Sequence, residues 1–141
     1  MFKNLLLAVD VLSPESAARS AEAAVSMARA EGATLHLLNV VPDSGMAIVG
    51  ASLTADLVKT ARSNAKAELE AWARKVIPED VKSVLHVVNG TVYDQIIRVS
   101  DQMEIDAIIV GAHRPELKDY LIGPNSARVA RHATQSVFVI R

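Results

Sequence analysis

Val110-Gly111-Ala112-His113-Arg114-Pro115-Glu116-Leu117-Lys118-Asp119-Tyr120-Leu121-Ile122-Gly123-Pro124-Asn125-Ser126 follows the apolar run Ala107-Ile108-Ile109 and leads into a short helical pattern. A glycine that closes a strand and another that opens a helix let backbone N–H groups come close to an anionic group. The same pair of glycines also suits a plain turn, and spacing alone leaves both readings open. What surrounds the stretch decides the fold.

Upstream, Leu5 to Val9 is a continuous apolar run of the kind found in strands buried on both faces, and Asp10 ends it. Ser13-Pro14-Glu15 reads as a helix start, with a serine cap, a proline in the first turn and an acid beside the positive helix end. That helix carries Ala17, Ala21, Ala24, Val25 and Ala28 inward and stops at Gly32. Thr34 to Val41 is the second strand. The segment Asp43 to Ser52 bears Gly45 and Gly50 among Met46, Ile48 and Val49, which fits a lid, a subunit contact or packing over the sheet edge.

Val58, Ala61, Ala65, Leu69, Trp72 and Val76 recur at three- and four-residue steps and predict a long amphipathic helix. Lys59, Arg62, Lys66, Glu70 and Arg74 fall on its solvated face, and Trp72 reads as a core residue. Val81 to Val88 is the third strand. After Asn89-Gly90, Thr91 and Asp94 suggest a capping box for a helix with Val92, Ile96, Ile97 and Val99. Asp106 to Val110 is the fourth strand. A short helix with Ala127, Val129 and Ala130 precedes a fifth strand, Ser136 to Ile140.

Strict alternation of strands and helices predicts an α/β fold: one domain over 1–141, Rossmann-like, with five parallel strands and helices on both faces. The expected strand order is flavodoxin-like, 3-2-1-4-5, with a ligand crevice outside the carboxyl ends of strands one and four. Asp10, Val40-Val41 and the Gly111 loop would meet there. Gly111 and Gly123 would admit phosphate oxygens, Asn125 and Ser126 would add donors, and Arg114 and Lys118 positive charge. Pro124 has no N–H to give, although proline suits a first helical turn. Asp10 fits a ribose, base or metal contact, or equally the closing of a turn.

Composition narrows the function classes. Half of the 141 residues are apolar, 22% are charged and the net charge is −1. The lack of a basic excess argues against an electrostatic nucleic-acid binder. There are no cysteines, which removes disulfides, thiolate metal sites and cysteine nucleophiles. The first apolar run is too short for a signal peptide, nothing approaches a membrane span, and a cytoplasmic location is expected. His36 and His86 lie in strands and His132 in a helix, without metal-ligand spacing. His113 alone falls in the crevice loop. No nucleophile elbow, Walker sequence or dinucleotide fingerprint is present, so no catalytic or metal-binding residues are expected. A phospho-acceptor receiver domain would need an aspartate after strand three and a lysine after strand five, and neither is there.

Over essentially its whole length the chain resembles the universal stress protein (UspA-like) family. The resemblance rests on Leu-Leu-Leu-Ala-Val-Asp at 5–10, His-Leu-Leu-Asn-Val-Val at 36–41 and Asn-Gly-Thr-Val-Tyr-Asp-Gln-Ile at 89–96. It is most specific at Asp-Ala-Ile-Ile-Val-Gly-Ala-His (106–113), Leu-Lys-Asp-Tyr-Leu-Ile-Gly (117–123) and the segment 127–141. Nucleotide-binding members carry Gly-x2-Gly-x9-Gly-(Ser/Thr) in this loop. Gly111 and Gly123 match the first and last glycines, Arg114 replaces the middle one, eight residues separate Arg114 from Gly123, and Pro124 stands at the Ser/Thr position. The His-Arg-Pro form resembles a branch in which nucleotide binding is known.

The resemblance implies a stress-response or regulatory protein that binds ATP, or AMP or ADP, with or without Mg2+, and hydrolyses it slowly at most. It places Asp10 and Val40 at base and ribose, and Gly111, His113, Arg114, Gly123, Asn125 and Ser126 at ribose and phosphates. The alternative is a nucleotide-free homodimeric interaction module of the same fold. Family members commonly dimerise through the last strand, and Val137, Phe138, Val139 and Ile140 form an apolar edge that a second copy would cover.

Overall fold

The computed structural model describes residues 1–42, 51–112 and 123–141. Its five strands are β1 (Asn4–Ala8), β2 (Thr34–Val41), β3 (Ser83–Asn89), β4 (Ala107–Gly111) and β5 (Ser136–Ile140), all parallel, in the order β3-β2-β1-β4-β5. Four helices connect them: α1 (Ala18–Glu31), α2 (Ala51–Val76), α3 (Val92–Gln102) and α4 (Pro124–His132). The expected α/β sheet and its strand order are what the chain adopts.

The central strands read as unbroken apolar runs because helices cover both sides of them. Leu5, Leu7, Leu35, Leu37 and Ile109 point to one face and pack with Ala21, Ala24 and Ala28 of α1 and Leu69 and Ala73 of α2. Leu6, Leu38 and Ile108 point to the other, against Ile96 and Val99 of α3 and Val129 of α4. The alanine-lined face of α1 brings that helix close to the sheet, and Gly32 ends it in the left-handed region at φ 63°. Trp72 is half-buried and packs on the first of these cores.

Several local expectations are corrected. Each of β1, β3 and β4 is offset by one or two residues from its apolar run, because hydrogen-bond register, not hydropathy, sets strand ends. Pro14 starts a 3-10 turn, Pro14–Ala17, and the α-helix begins only at Ala18. Ser13 makes no side-chain cap; its hydroxyl donates to Glu15 Oε1 at 3.1 Å. Thr91 also makes no side-chain cap on α3, and Asp94 is one methylene shorter than the glutamate a capping box uses. Helix α2 starts at Ala51, before its apolar stripe begins, so Ala51 and Ser52 are helical. Residues 43–50, including Gly45, Met46, Ile48, Val49 and Gly50, lie outside the described residues.

Two histidines far apart in sequence meet across β2 and β3. His36 Nδ1 is 2.9 Å from His86 Nε2, and His36 Nε2 is 3.2 Å from Asn4 Oδ1. An amide oxygen only accepts, which puts the His36 proton on Nε2 and makes His86 Nε2–H the donor to His36 Nδ1. Burial pushes both imidazoles below their usual pKa, and for His36 the charges of His86 and Lys82 add to the effect.

Candidate functional site

At the carboxyl ends of β1, β2 and β4 the sheet opens into a cleft of about 880 Å³. This volume lies within the range of small-molecule sites, roughly 300–1,000 Å³. Its floor is Ala8, Val9, Leu38, Val40, Val110 and Gly111; the start of α4 and one face of α2 form opposite walls.

Each wall has a local cause. β1 ends at a turn in which Asp10 Oδ1 accepts the Leu12 N–H at 3.0 Å and the Asp10 carbonyl accepts the Ser13 N–H at 3.1 Å. Asp10 therefore closes the turn while lining the cleft. Val9 is held to β2 twice: its N–H donates to the Leu38 carbonyl, and its carbonyl accepts the Asn39 Nδ2–H, both at 2.8 Å. Asn39 is buried, and this bond satisfies its amide inside a mostly apolar strand.

On the opposite side, the Ala112 N–H donates to the Ile140 carbonyl at 2.8 Å and the Gly123 N–H to the Ala112 carbonyl at 2.9 Å. The Ser126 hydroxyl donates to the Gly111 carbonyl at 2.7 Å, fastening the first turn of α4 to the end of β4. Gly123 caps α4 with an extended backbone, φ −67° and ψ 159°, that other residues adopt readily. Among the described residues, a Cβ on Gly111 would meet the Ser16 carbonyl oxygen at an ordinary 3.7 Å. Packing among the described residues thus gives no reason for glycine at 111, nor backbone shape for glycine at 123.

Helix geometry leaves the Asn125 and Ser126 N–H groups without intrahelical acceptors; Pro124 has no N–H, and Ala127 donates to the Gly123 carbonyl at 2.9 Å. These two N–H groups and the helix dipole make the α4 end of the cleft electropositive. The cleft lining contains no lysine or arginine among the described residues. Of the sequence-predicted site residues, Asp10, Val40, Gly111, Gly123, Asn125 and Ser126 come together here. His113, Arg114 and Lys118 lie outside the described residues.

The family model for the universal stress protein family matches residues 1–141. The chain belongs to the universal stress protein family. Universal stress protein G of Salmonella typhimurium is 28% identical over 147 aligned residues, covering 100% of both chains. The solved structure of universal stress protein UspA from Lactobacillus plantarum superposes with a TM-score of 0.81 at 26% identity, covering 99% of this chain and 98% of the other. The universal stress protein from Archaeoglobus fulgidus, solved in complex with dAMP, superposes with a TM-score of 0.62 at 18% identity over 99% and 98% of the chains, a likeness of fold.

Sequence reasoning missed Asn39, Ser16, Asn64 and Glu68, all of which line the cleft. Asn39 had a legible signal, a lone amide in an apolar strand. Asn64 and Glu68 alternate with Ala61 and Ala65 at steps of three and four, but only the fold tells which side of α2 meets the cleft. Among the described residues no three or more metal-ligating side chains gather, and no helix is long and apolar enough to cross a membrane.

Proposed function

We propose that this universal stress protein binds ATP or another adenine nucleotide in the cleft and acts in stress response or regulation, with slow hydrolysis at most. The reading is carried by one observation: Gly111 and the first turn of α4, which Gly123 caps, converge on a cleft of nucleotide size. The phosphates would lie against the Asn125 and Ser126 N–H groups, with Asp10 and Val40 toward ribose and base. His113 and Arg114 are proposed to complete the phosphate end, and Mg2+ would accompany a triphosphate. The dAMP complex of the Archaeoglobus fulgidus protein supports the choice of adenine nucleotides.

Pro124 favours a second reading, a nucleotide-free interaction module, because it removes one donor from the helix end. Calorimetric titration of the full chain with ATP, ADP and AMP, with and without Mg2+, separates the two. Binding heat and a thermal shift are expected; the absence of both with every nucleotide refutes the first reading.

The segment 1–141 is proposed to work as one cytoplasmic domain, paired with a second copy through β5. The strand is at the sheet edge, and Val137, Phe138, Val139 and Ile140 are only half-buried. Light scattering should give twice the chain mass, falling to the monomer mass on Val139→Lys.

A further inference from the structure

The two ends of the cleft differ in chemistry. At the α4 end, among the described residues, the free Asn125 and Ser126 N–H groups sit beside small residues. Facing it across the floor, α2 presents Ala61, Asn64, Ala65 and Glu68, spaced as one helical face. Helix α2 has 26 residues, a length of about 39 Å at 1.5 Å per residue. Among the described residues, its buried ones, Ala65, Leu69 and Ala73, all belong to the second half. The region around residues 61–68 is therefore where α2 passes the rim of the sheet, and its polar groups there border the cleft.

Asn64 and Glu68 are not held by any hydrogen bond or ion pair among the described residues. Ala61 and Ala65 beside them are too small to fill the space in front. Glu68 and Asp10 are the acidic residues among the described lining, and Asp10 is engaged in its turn. A carboxylate and a carboxamide one helical turn apart, at the end of an apolar cleft, favour a ligand edge that offers an N–H donor beside an acceptor. Adenine has this edge, an exocyclic amine at position 6 next to the ring acceptor N7, which asparagine can engage with two hydrogen bonds. Guanine has an oxygen at position 6, and a carboxylate facing it would be repelled.

We propose that Asn64 and Glu68 read the base of the bound nucleotide and make the cleft select adenine over purines with an oxygen at position 6. This rests on the nucleotide reading above. The phosphates occupy the α4 end, so the base extends over Val40 toward α2.

The test compares AMP, IMP and GMP binding to the full chain, to Glu68→Gln and to Asn64→Ala. IMP differs from AMP at the position-6 substituent and the adjoining N1 proton, without the 2-amino group of guanine. Both positions are exposed on a helix, and glutamine and alanine are good helix formers, so the variants fold. The wild-type chain is expected to prefer AMP to IMP and GMP by about tenfold or more, and each variant to narrow that ratio severalfold. An AMP preference that survives unchanged in both variants overturns the base-reading role and leaves nucleotide binding intact. A wild-type chain that binds no nucleotide overturns both.

Discussion

Asn39 joins two of the strands that form the cleft floor, and its replacement gives a worked prediction. Its amide is buried, with 4% of its surface exposed, and Nδ2 donates to the Val9 carbonyl at 2.8 Å. Asn39→Leu keeps the approximate volume and removes the donor, leaving that carbonyl without this partner. A buried polar group deprived of its partner costs about 1–3 kcal/mol. For a chain of this size each kcal/mol moves the melting temperature by roughly 4 °C. The variant should therefore melt about 4–12 °C below the wild type, with an unchanged urea m-value. Asn39→Asp sharpens the test, because a carboxylate at this position cannot donate and its charge is disfavoured by burial. Its folded-state pKa is raised, so its penalty is full at neutral pH and shrinks as pH falls through that raised value toward the unfolded carboxyl's. Asn39→Leu within about 0.5 kcal/mol of wild type in urea unfolding would refute the claim that this bond holds the floor.

Ser100 is fully buried in α3 and its hydroxyl finds no partner among the described residues, so Ser100→Ala should raise stability by about 1 kcal/mol in urea melts. His36 and His86 have lowered folded-state pKa values, so the unfolded chain binds more protons than the folded one below about pH 6.5. Stability should fall as pH drops from there through the lowered values, and His86→Gln should flatten the slope. Asp106 does not interfere in that window: N–H donation from Asn4 and Lys3 holds its carboxylate below 3.8, so its contribution is lost only under more acidic conditions. Gly123→Val suits the extended backbone at that cap and should change stability by no more than about 1 kcal/mol. Its branched side chain should weaken ATP binding at least tenfold, and unchanged affinity in the folded variant would exclude close phosphate approach at Gly123.

Most of the fold was legible because a parallel sheet covered on both faces leaves continuous apolar runs, and Leu5–Val9 and Ala107–Val110 are such runs. Alternation with helices then implied a parallel sheet, and the flavodoxin-like order expected of it is the one observed. The cleft followed from topology: Asp10, Val40 and Gly111 are distant in sequence but lie at the carboxyl ends of strands, and Gly123 opens the helix that follows one of them. Illegible features depended on pairing register. His36 and His86 are 50 residues apart, and only the β2–β3 register, with His36 opposite Val84 and Leu38 opposite His86, brings them together. Capping failed where side-chain reach mattered, at Ser13 and at Thr91 with Asp94. The α2 wall was hidden because periodicity separates a buried face from an exposed one, but does not say which exposed residues border a cleft.

The central place of β1 has a consequence for how the molecule is assembled. As synthesis proceeds, β1 can pair with β2 within the first 41 residues, but its other edge waits for β4, which begins at Ala107. The carboxylate that receives the Lys3 and Asn4 N–H groups, Asp106, arrives just before it. The cleft floor then lacks its α4 wall until residues 124–132 are added. An emerging chain thus carries an open strand edge for most of its length, an invitation to mispairing that the last quarter of the sequence removes. The β1 edge is thus covered before the cleft gains its α4 wall, and β5 completes the sheet last.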